Sequence, residues 1–139
     1  MKTILIMKTK QVILIRKDLN MRKGKMIAQG AHASMKVLLD LMRKYNTDDD
    51  TTVYHLEFGG DCALHDWLEG EFTKVCLGVG SLMELLSYHD MAAKKGIPCS
   101  LITDSGHTEF SGTPTETAVA IGPFDAVAID EITGGLKLL

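Results

Sequence analysis

The sequence predicts an α/β fold: a single-domain, three-layer α/β/α arrangement on a four-stranded mixed sheet. Three observations lead there. Short apolar, β-branched runs alternate with segments of helical periodicity through most of the chain. The last two such runs, Pro98 to Thr103 and Thr117 to Ile121, are separated by a stretch without a helical signal, which predicts an antiparallel pair and hence a mixed sheet. The 139 residues, 45% apolar and 24% charged, suffice for one hydrophobic core and exclude a disordered chain.

The elements follow in order. Gln11-Val-Ile-Leu-Ile15 is a continuous apolar run bounded by charge, as in a strand buried on both faces. Lys17 to Lys23 form a polar connection. From Gly24 to about Tyr45, Ile27, Ala31, Met35, Leu38, Met42 and Tyr45 recur at helical steps and define one apolar stripe, expected to face the core. Asn46 to Asp50 ends that helix, and Thr51–Phe58 alternates weakly, as in an extra strand. Asp61 through Glu69 reads as a short helix capped by Asp61. Thr73 to Val79 is the second strand. Ser81 and Glu84 form a capping box, opening a helix that stops at Lys94-Lys95-Gly96. Gly122-Pro123 is expected to break the strand before it, and Asp125 to Glu131 adds a last short helix.

Charge is unevenly distributed. Residues 1–46 hold eleven Lys/Arg against Asp18 and Asp40, whereas the remainder holds four bases and sixteen acids. That asymmetry suggests a basic face for an anionic partner, although halves of a sequence also interleave on folding. Met1-Lys-Thr-Ile-Leu-Ile-Met7 has four consecutive apolar residues. A signal peptide needs about 7–15 and a membrane helix about 20, so neither is expected. Cys62, Cys76 and Cys99 are odd in number and lack CxxC spacing, which argues against a disulfide framework or structural zinc and for a reducing, cytoplasmic setting. The five histidines show no HxxH or HExxH spacing, so no metal site is expected.

Two constellations offer chemistry. Lys25, Gln29, His32 and Lys36 share a second stripe of the first long helix. Lys25 near the helix start is disfavoured by the macrodipole by about 0.3–1 kcal/mol, which invites an anion as the reason. A solvated polar face accounts for the same stripe. Lys23-Gly24-Lys25 precedes the helix like a phosphate loop, but GxxxxGK[ST] is absent. The other constellation, Thr103-Asp104-Ser105-Gly106-His107-Thr108, follows a strand at its carboxyl end, where open α/β sheets place their sites. Asp104, if ionised, can orient a water or accept its proton. Taken by itself, the segment is read more readily as an Asx-type turn, with Asp104 bonding local amides.

These stretches resemble a known family. Arg16-Lys-Asp-Leu-Asn-Met-Arg-Lys-Gly-Lys-Met-Ile-Ala-Gln-Gly-Ala-His-Ala33 is similar to the signature of type 2 peptidyl-tRNA hydrolases, a strand followed by K-M-x-K-G-K-x-A-A-Q-x-x-H-A. Leu101-Ile-Thr-Asp-Ser-Gly-His-Thr108 and the run from Ile121-Gly-Pro123 to Ile132-Thr-Gly-Gly-Leu-Lys-Leu-Leu139 match two further motifs in the expected order. Ser105 stands where the family usually has alanine, Ile27 and Gly134-Gly135 vary within motifs, Met1–Thr9 is an N-terminal extension, and Asn46–Gly60 is longer than typical, as an insertion. The resemblance implies one domain over 1–139 that cleaves the ester between peptide and tRNA 3′-ribose without a metal or other cofactor, usually as a homodimer. It implies a functional set of Lys25, Gln29, His32, Asp104 and Thr108. Lys17, Arg22, Lys23 and Lys36 are the expected phosphate contacts to tRNA. A non-catalytic RNA- or anion-binding module on the same basic helix is the alternative.

Overall fold

The computed structural model describes residues 8–107 and 109–139. Its elements run β1 (Thr9–Arg16), α1 (Lys23–Leu41), β2 (Arg43–Asn46), β3 (Thr52–His55), α2 (Ala63–Leu68), β4 (Lys74–Val79), α3 (Leu82–Lys94), β5 (Cys99–Asp104), β6 (Thr115–Asp125) and α4 (Ala126–Thr133). Four strands form one sheet in the order β4-β1-β6-β5. β1 pairs parallel with β4 and antiparallel with β6, which in turn pairs antiparallel with β5. The sheet is mixed, as the missing helix between the last two strands predicted.

The continuous apolar run of β1 feeds two cores. Val12 and Leu14 point to one face, where they meet Val79, Leu85, Ala92, Val119, Ile121 and Ile129 beneath α3 and α4. Ile13 and Ile15 point to the other, with Ala33 and Val37 of α1 and Ile102, Ala118 and Ala120 of the sheet. These are the three layers. Ser81 caps α3 by accepting from the Glu84 amide at 3.1 Å, and the Glu84 carboxylate reaches back to the Gly80 amide at 2.5 Å. Lys137–Leu139 lie along β4, with the Gly78 amide donating to the Lys137 carbonyl and the Leu139 amide to that of Cys76. They cover part of an otherwise open sheet edge.

Four expectations change. First, α1 ends at Leu41, not near Tyr45. Arg43–Asn46 instead pairs antiparallel with Thr52–His55 in a two-stranded ribbon, closed by Thr47–Thr51 backbone bonding and by Asp50 at φ +65°. Second, the apolar stripe of α1 does not face the core: Ile27 is 73% exposed and Met35 49%. The buried face is Gln29, Gly30, Ala33 and Val37. Small residues there let the helix settle on the sheet, and a Cβ at Gly30 would lie 3.8 Å from Ile13.

Third, β6 continues through Gly122-Pro123 to Asp125. The ladder shifts register between Lys10 and Val12, so Pro123 needs no ladder donor at that point, and Gln11 bonds the Gly122 carbonyl from the side at 3.0 Å. Gly122 is at φ +95°, and a Cβ there would sit 2.6 Å from the Lys10 carbonyl oxygen. Fourth, Cys62 rather than Asp61 caps α2, its sulfur accepting from the His65 amide.

Candidate active site

Helix α1 lies over the edge strand β5 and runs against it. At one end Gln29 bonds Asp104, the last residue of β5, and at the other the Ser100 hydroxyl donates to Asp40 at 2.6 Å. This fixes which face of α1 meets the end of the strand. Lys25 Nζ lies 2.9 Å from Asp104 Oδ1, and Gln29 Nε2 donates to the same oxygen at 3.2 Å. The first turn of α1 contains no acidic residue, so the carboxylate that a helix start favours arrives from β5.

The remaining Asp104 oxygen accepts from the Gly106 amide at 2.9 Å. The Lys25 hydrogen bond, with those from Gly106 and Gln29, holds the Asp104 carboxyl below its ordinary value against the opposing effect of burial. The carboxylate is therefore ionised at neutral pH. Both side chains retain 12% exposure, so the pair is sheltered yet open on one side. An ammonium and a carboxylate in that setting can stabilise a developing oxyanion and orient a water.

Gln29 is itself fixed. Its side-chain oxygen accepts from Thr117 Oγ1 at 2.5 Å, in a fully buried contact. Strict alternation along β6 would give Thr117 to the opposite face, with Val119 and Ile121. Between Ile102↔Ala118 and Thr103↔Glu116, however, β6 carries one extra residue, and that residue is Thr117. A bulge re-aims a side chain in this way. No local pattern signals this role, because the bulge is a property of the pairing.

The connection after β5 shapes the other wall. Gly106, at φ +86°, packs so closely that a Cβ would lie 2.2 Å from the Thr113 carbonyl oxygen. Phe110, which belongs to no motif or periodic pattern, puts its ring 5.6 Å from Lys25 Nζ. Thr108 lies outside the described residues. His32 is exposed, on the same stripe one turn beyond Gln29, and its side chain makes no hydrogen bond among the described residues.

The expected phosphate contacts are spread out. Arg22 is exposed and lies 3.9 Å from Glu109, a carboxylate close to the site. Lys36 pairs with Asp40 at 3.1 Å, about 16 Å along the helix from Lys25. Burial opposes ionisation of Asp40, but the Ser100 hydroxyl and Lys36 outweigh it and keep the carboxyl below its usual value. Lys23 and Lys17 are exposed and make no ion pair among the described residues. Lys17 lies against Gly78 of β4, about 14 Å across the sheet from the strand that bears Asp104. The basic residues are thus only partly segregated from acids.

On the other flank of α1, the exposed stripe and β4 enclose an apolar groove of about 620 Å³ bounded by Met26, Ile27, Met35, Phe72, Cys76 and Leu139. Among the described residues, no helix is long and apolar enough to cross a membrane, and no three His, Cys, Asp or Glu side chains gather as metal ligands.

A family model described as peptidyl-tRNA hydrolase PTH2 matches residues 9–139. The chain is 43% identical over 130 residues to the peptidyl-tRNA hydrolase of Methanocaldococcus jannaschii, spanning 94% of this chain and 99% of that one. It is 40% identical over 131 residues to that of Metallosphaera sedula, with 94% and 99% covered. A solved structure of a protein of unknown function from Agrobacterium tumefaciens strain C58 is similar with a TM-score of 0.52, over 94% of this chain and 97% of that one. At 15% identity it bears on the fold alone. The match from Thr9 to Leu139 and the near-complete coverage of these relatives place the chain in the PTH2 family of peptidyl-tRNA hydrolases.

Proposed function

We propose that this chain hydrolyses the ester joining a peptide's terminal carboxyl to the 3′-ribose of tRNA, releasing free tRNA and peptide. The observation that carries the reading is the cluster in which Lys25 and Gln29 both bond Asp104, within a chain of this family. In this reading Asp104 orients the attacking water. Its lowered pKa makes it a fixed hydrogen-bond acceptor more than a strong base. Water adds to the ester carbonyl, Lys25 stabilises the oxyanion, and collapse breaks the bond to the ribose oxygen, which takes up the proton that the water gives up and leaves as a hydroxyl. Gln29 positions Asp104, while His32 and Thr108 position the acceptor end.

Recognition must be indifferent to the peptide, so tRNA binding falls to the ester and the RNA. Lys23 and Lys17 supply phosphate contacts directly, and Arg22 and Lys36 do so in exchange for Glu109 and Asp40. The reaction belongs in the cytoplasm, where translation makes its substrate. The whole site is built from one domain, between β1 and β6.

A homodimer completes the proposal. Ile27 and Met35 stand exposed beside Phe72 and Leu139 around the apolar groove, and a second copy covering that face would remove them from water.

The test is release of peptide from peptidyl-tRNA by the purified protein, compared with Lys25→Ala and Asp104→Asn. Equal activity in all three removes these residues from the reaction. Retained tRNA binding without turnover in the unsubstituted protein favours a non-catalytic RNA-binding module instead.

A further inference from the structure

The ribbon of β2 and β3 takes no part in the ester site. Its register is Arg43↔His55, Lys44↔Tyr54, Tyr45↔Val53 and Asn46↔Thr52. Side chains alternate, so Arg43 and Tyr45 share one face while Lys44 and Tyr54 share the other. Each face sets a cation against a ring: Arg43 Cζ lies 4.9 Å from the Tyr45 centroid, and Lys44 Nζ 5.7 Å from that of Tyr54. Tyr45 is 39% exposed and Tyr54 52%. Arg43 and Lys44 are exposed as well, and neither makes an ion pair among the described residues. A free-standing two-stranded ribbon is marginal in water, which makes open rings on both its faces costly without a partner.

Its position matters as much as its chemistry. Lys25, Gln29, His32, Lys36 and Asp40 form one line on α1 above the β5 edge, anchored at Asp104 and at Ser100. The chain leaves the helix at Met42, and Arg43 follows at once. The ribbon therefore begins about 24 Å from Lys25 along the axis of α1, at the far end of the line that starts in the site. Asp48, Asp49 and Asp50 occupy the tip, and the two carboxylates near the base are engaged: Glu57 bonds His55, the cross-strand neighbour of Arg43, at 2.9 Å, and Asp40 pairs with Lys36. The acidic tip would keep phosphates at the base of the ribbon.

We propose that the base of this ribbon is a second RNA-binding element, which grips the body of the tRNA away from its reacting 3′ end. Arg43 and Lys44 neutralise phosphates, and Tyr45 and Tyr54 lie against the sugars and unpaired bases beside them. The inference rests on the hydrolase reading for the identity of the RNA and extends it beyond the ester.

The test compares the full chain with two paired variants, Arg43→Gln with Lys44→Gln and Tyr45→Ala with Tyr54→Ala. One substrate is N-acetyl-aminoacyl-tRNA; the other is the same ester on a CCA trinucleotide. On the full tRNA the cation pair should raise KM about tenfold with little change in kcat, and should flatten the log–log salt dependence by about 1.4. On the trinucleotide both pairs should match the unsubstituted chain, which also reports an intact fold. Unchanged KM on the full tRNA, or equal losses on both substrates, overturns the inference. If the unsubstituted protein cleaves neither substrate, the hydrolase reading falls, and binding of uncharged tRNA decides the ribbon: variants that bind as tightly as the parent overturn it, and weakened variants support it.

Discussion

Lys25 and Asp104, 79 positions apart in the chain, meet at 2.9 Å with 12% of each side chain exposed. Each settles the other's poor placement. A cation near the start of α1 opposes the helix dipole, and a sheltered carboxylate at the end of β5 is costly without a donor. Together with Gln29 and the Gly106 amide, they leave the carboxylate ionised and oriented.

Substituting either partner should therefore act on turnover more than on binding. Asp104→Asn and Lys25→Ala are each expected to lower kcat by about 10²–10⁴ with a smaller change in KM. The double variant should fall well short of the product of the two, because the groups act as a unit. Steady-state kinetics on peptidyl-tRNA measures both. Independent, multiplying effects would show that the pair does not work together.

The lowered pKa of Asp104 has a consequence for stability. The folded carboxyl titrates below its ordinary 3.8, so the unfolded chain takes up the proton first as pH falls. The contribution of Asp104 is complete above 3.8 and disappears as pH drops through the folded value. Denaturation curves taken downward through that window should show the parent losing more stability than Asp104→Asn. Asp18 and Asp40 are lowered too, but they contribute equally to both proteins. Parallel pH profiles would contradict the assignment.

Thr117→Val removes the only hydroxyl bonded to the Gln29 side-chain oxygen among the described residues, at a site with no exposure. Leaving that oxygen unsatisfied should cost about 1–3 kcal/mol in chemical denaturation. kcat should drop as well, since Gln29 no longer holds Asp104 in place. Thr117→Ser restores the donor and should recover most of both. A valine variant with full stability and turnover would mean that the buried link is dispensable.

At Gly106 the constraint is steric. An alanine there meets the Thr113 carbonyl at 2.2 Å in a left-handed backbone conformation. The expected loss is about 1–3 kcal/mol, accompanied by reduced kcat as the Gly106 amide moves off Asp104. Alanine at Gly24, where the added Cβ meets nothing within 4 Å, is the control for a helical glycine without such contact. Similar behaviour of the two variants would argue against a shaped turn.

The exposed flank of α1 is testable by oligomeric state. Met35→Glu adds a charge to the groove without touching the buried face of the helix. Sedimentation should show a dimer for the parent and a monomer for the variant at the same concentration. A monomeric parent would remove the homodimer from the proposal.

Much of the architecture was legible because its causes are local. β1 is an uninterrupted apolar run because both its faces are buried, and Ser81 with Glu84 announces a helix start through amides a few residues away. The ordered motifs likewise pointed to Lys25, Gln29 and Asp104, which the fold brings together, and to His32, which it leaves exposed. The apolar pattern of α1 points to the wrong face for a physical reason. Gly30 and Ala33 weigh little in a hydrophobic pattern, yet their small size is what lets this face approach the sheet, whereas Ile27 and Met35 dominate the pattern from outside.

What the sequence by itself determined, then, was the alternation of strands and helices, the mixed sheet and the residues that bear the family's motifs. Only the tertiary structure decided that a bulge turns Thr117 toward Gln29, that Phe110 closes on Lys25, and that the end of the predicted helix becomes a ribbon. The first two depend on partners distant in the chain, and the ribbon on a hairpin pairing that competes with continuation of the helix. Local propensity and spacing hold no record of such contacts, which are settled when strands pair and the helix finds its face.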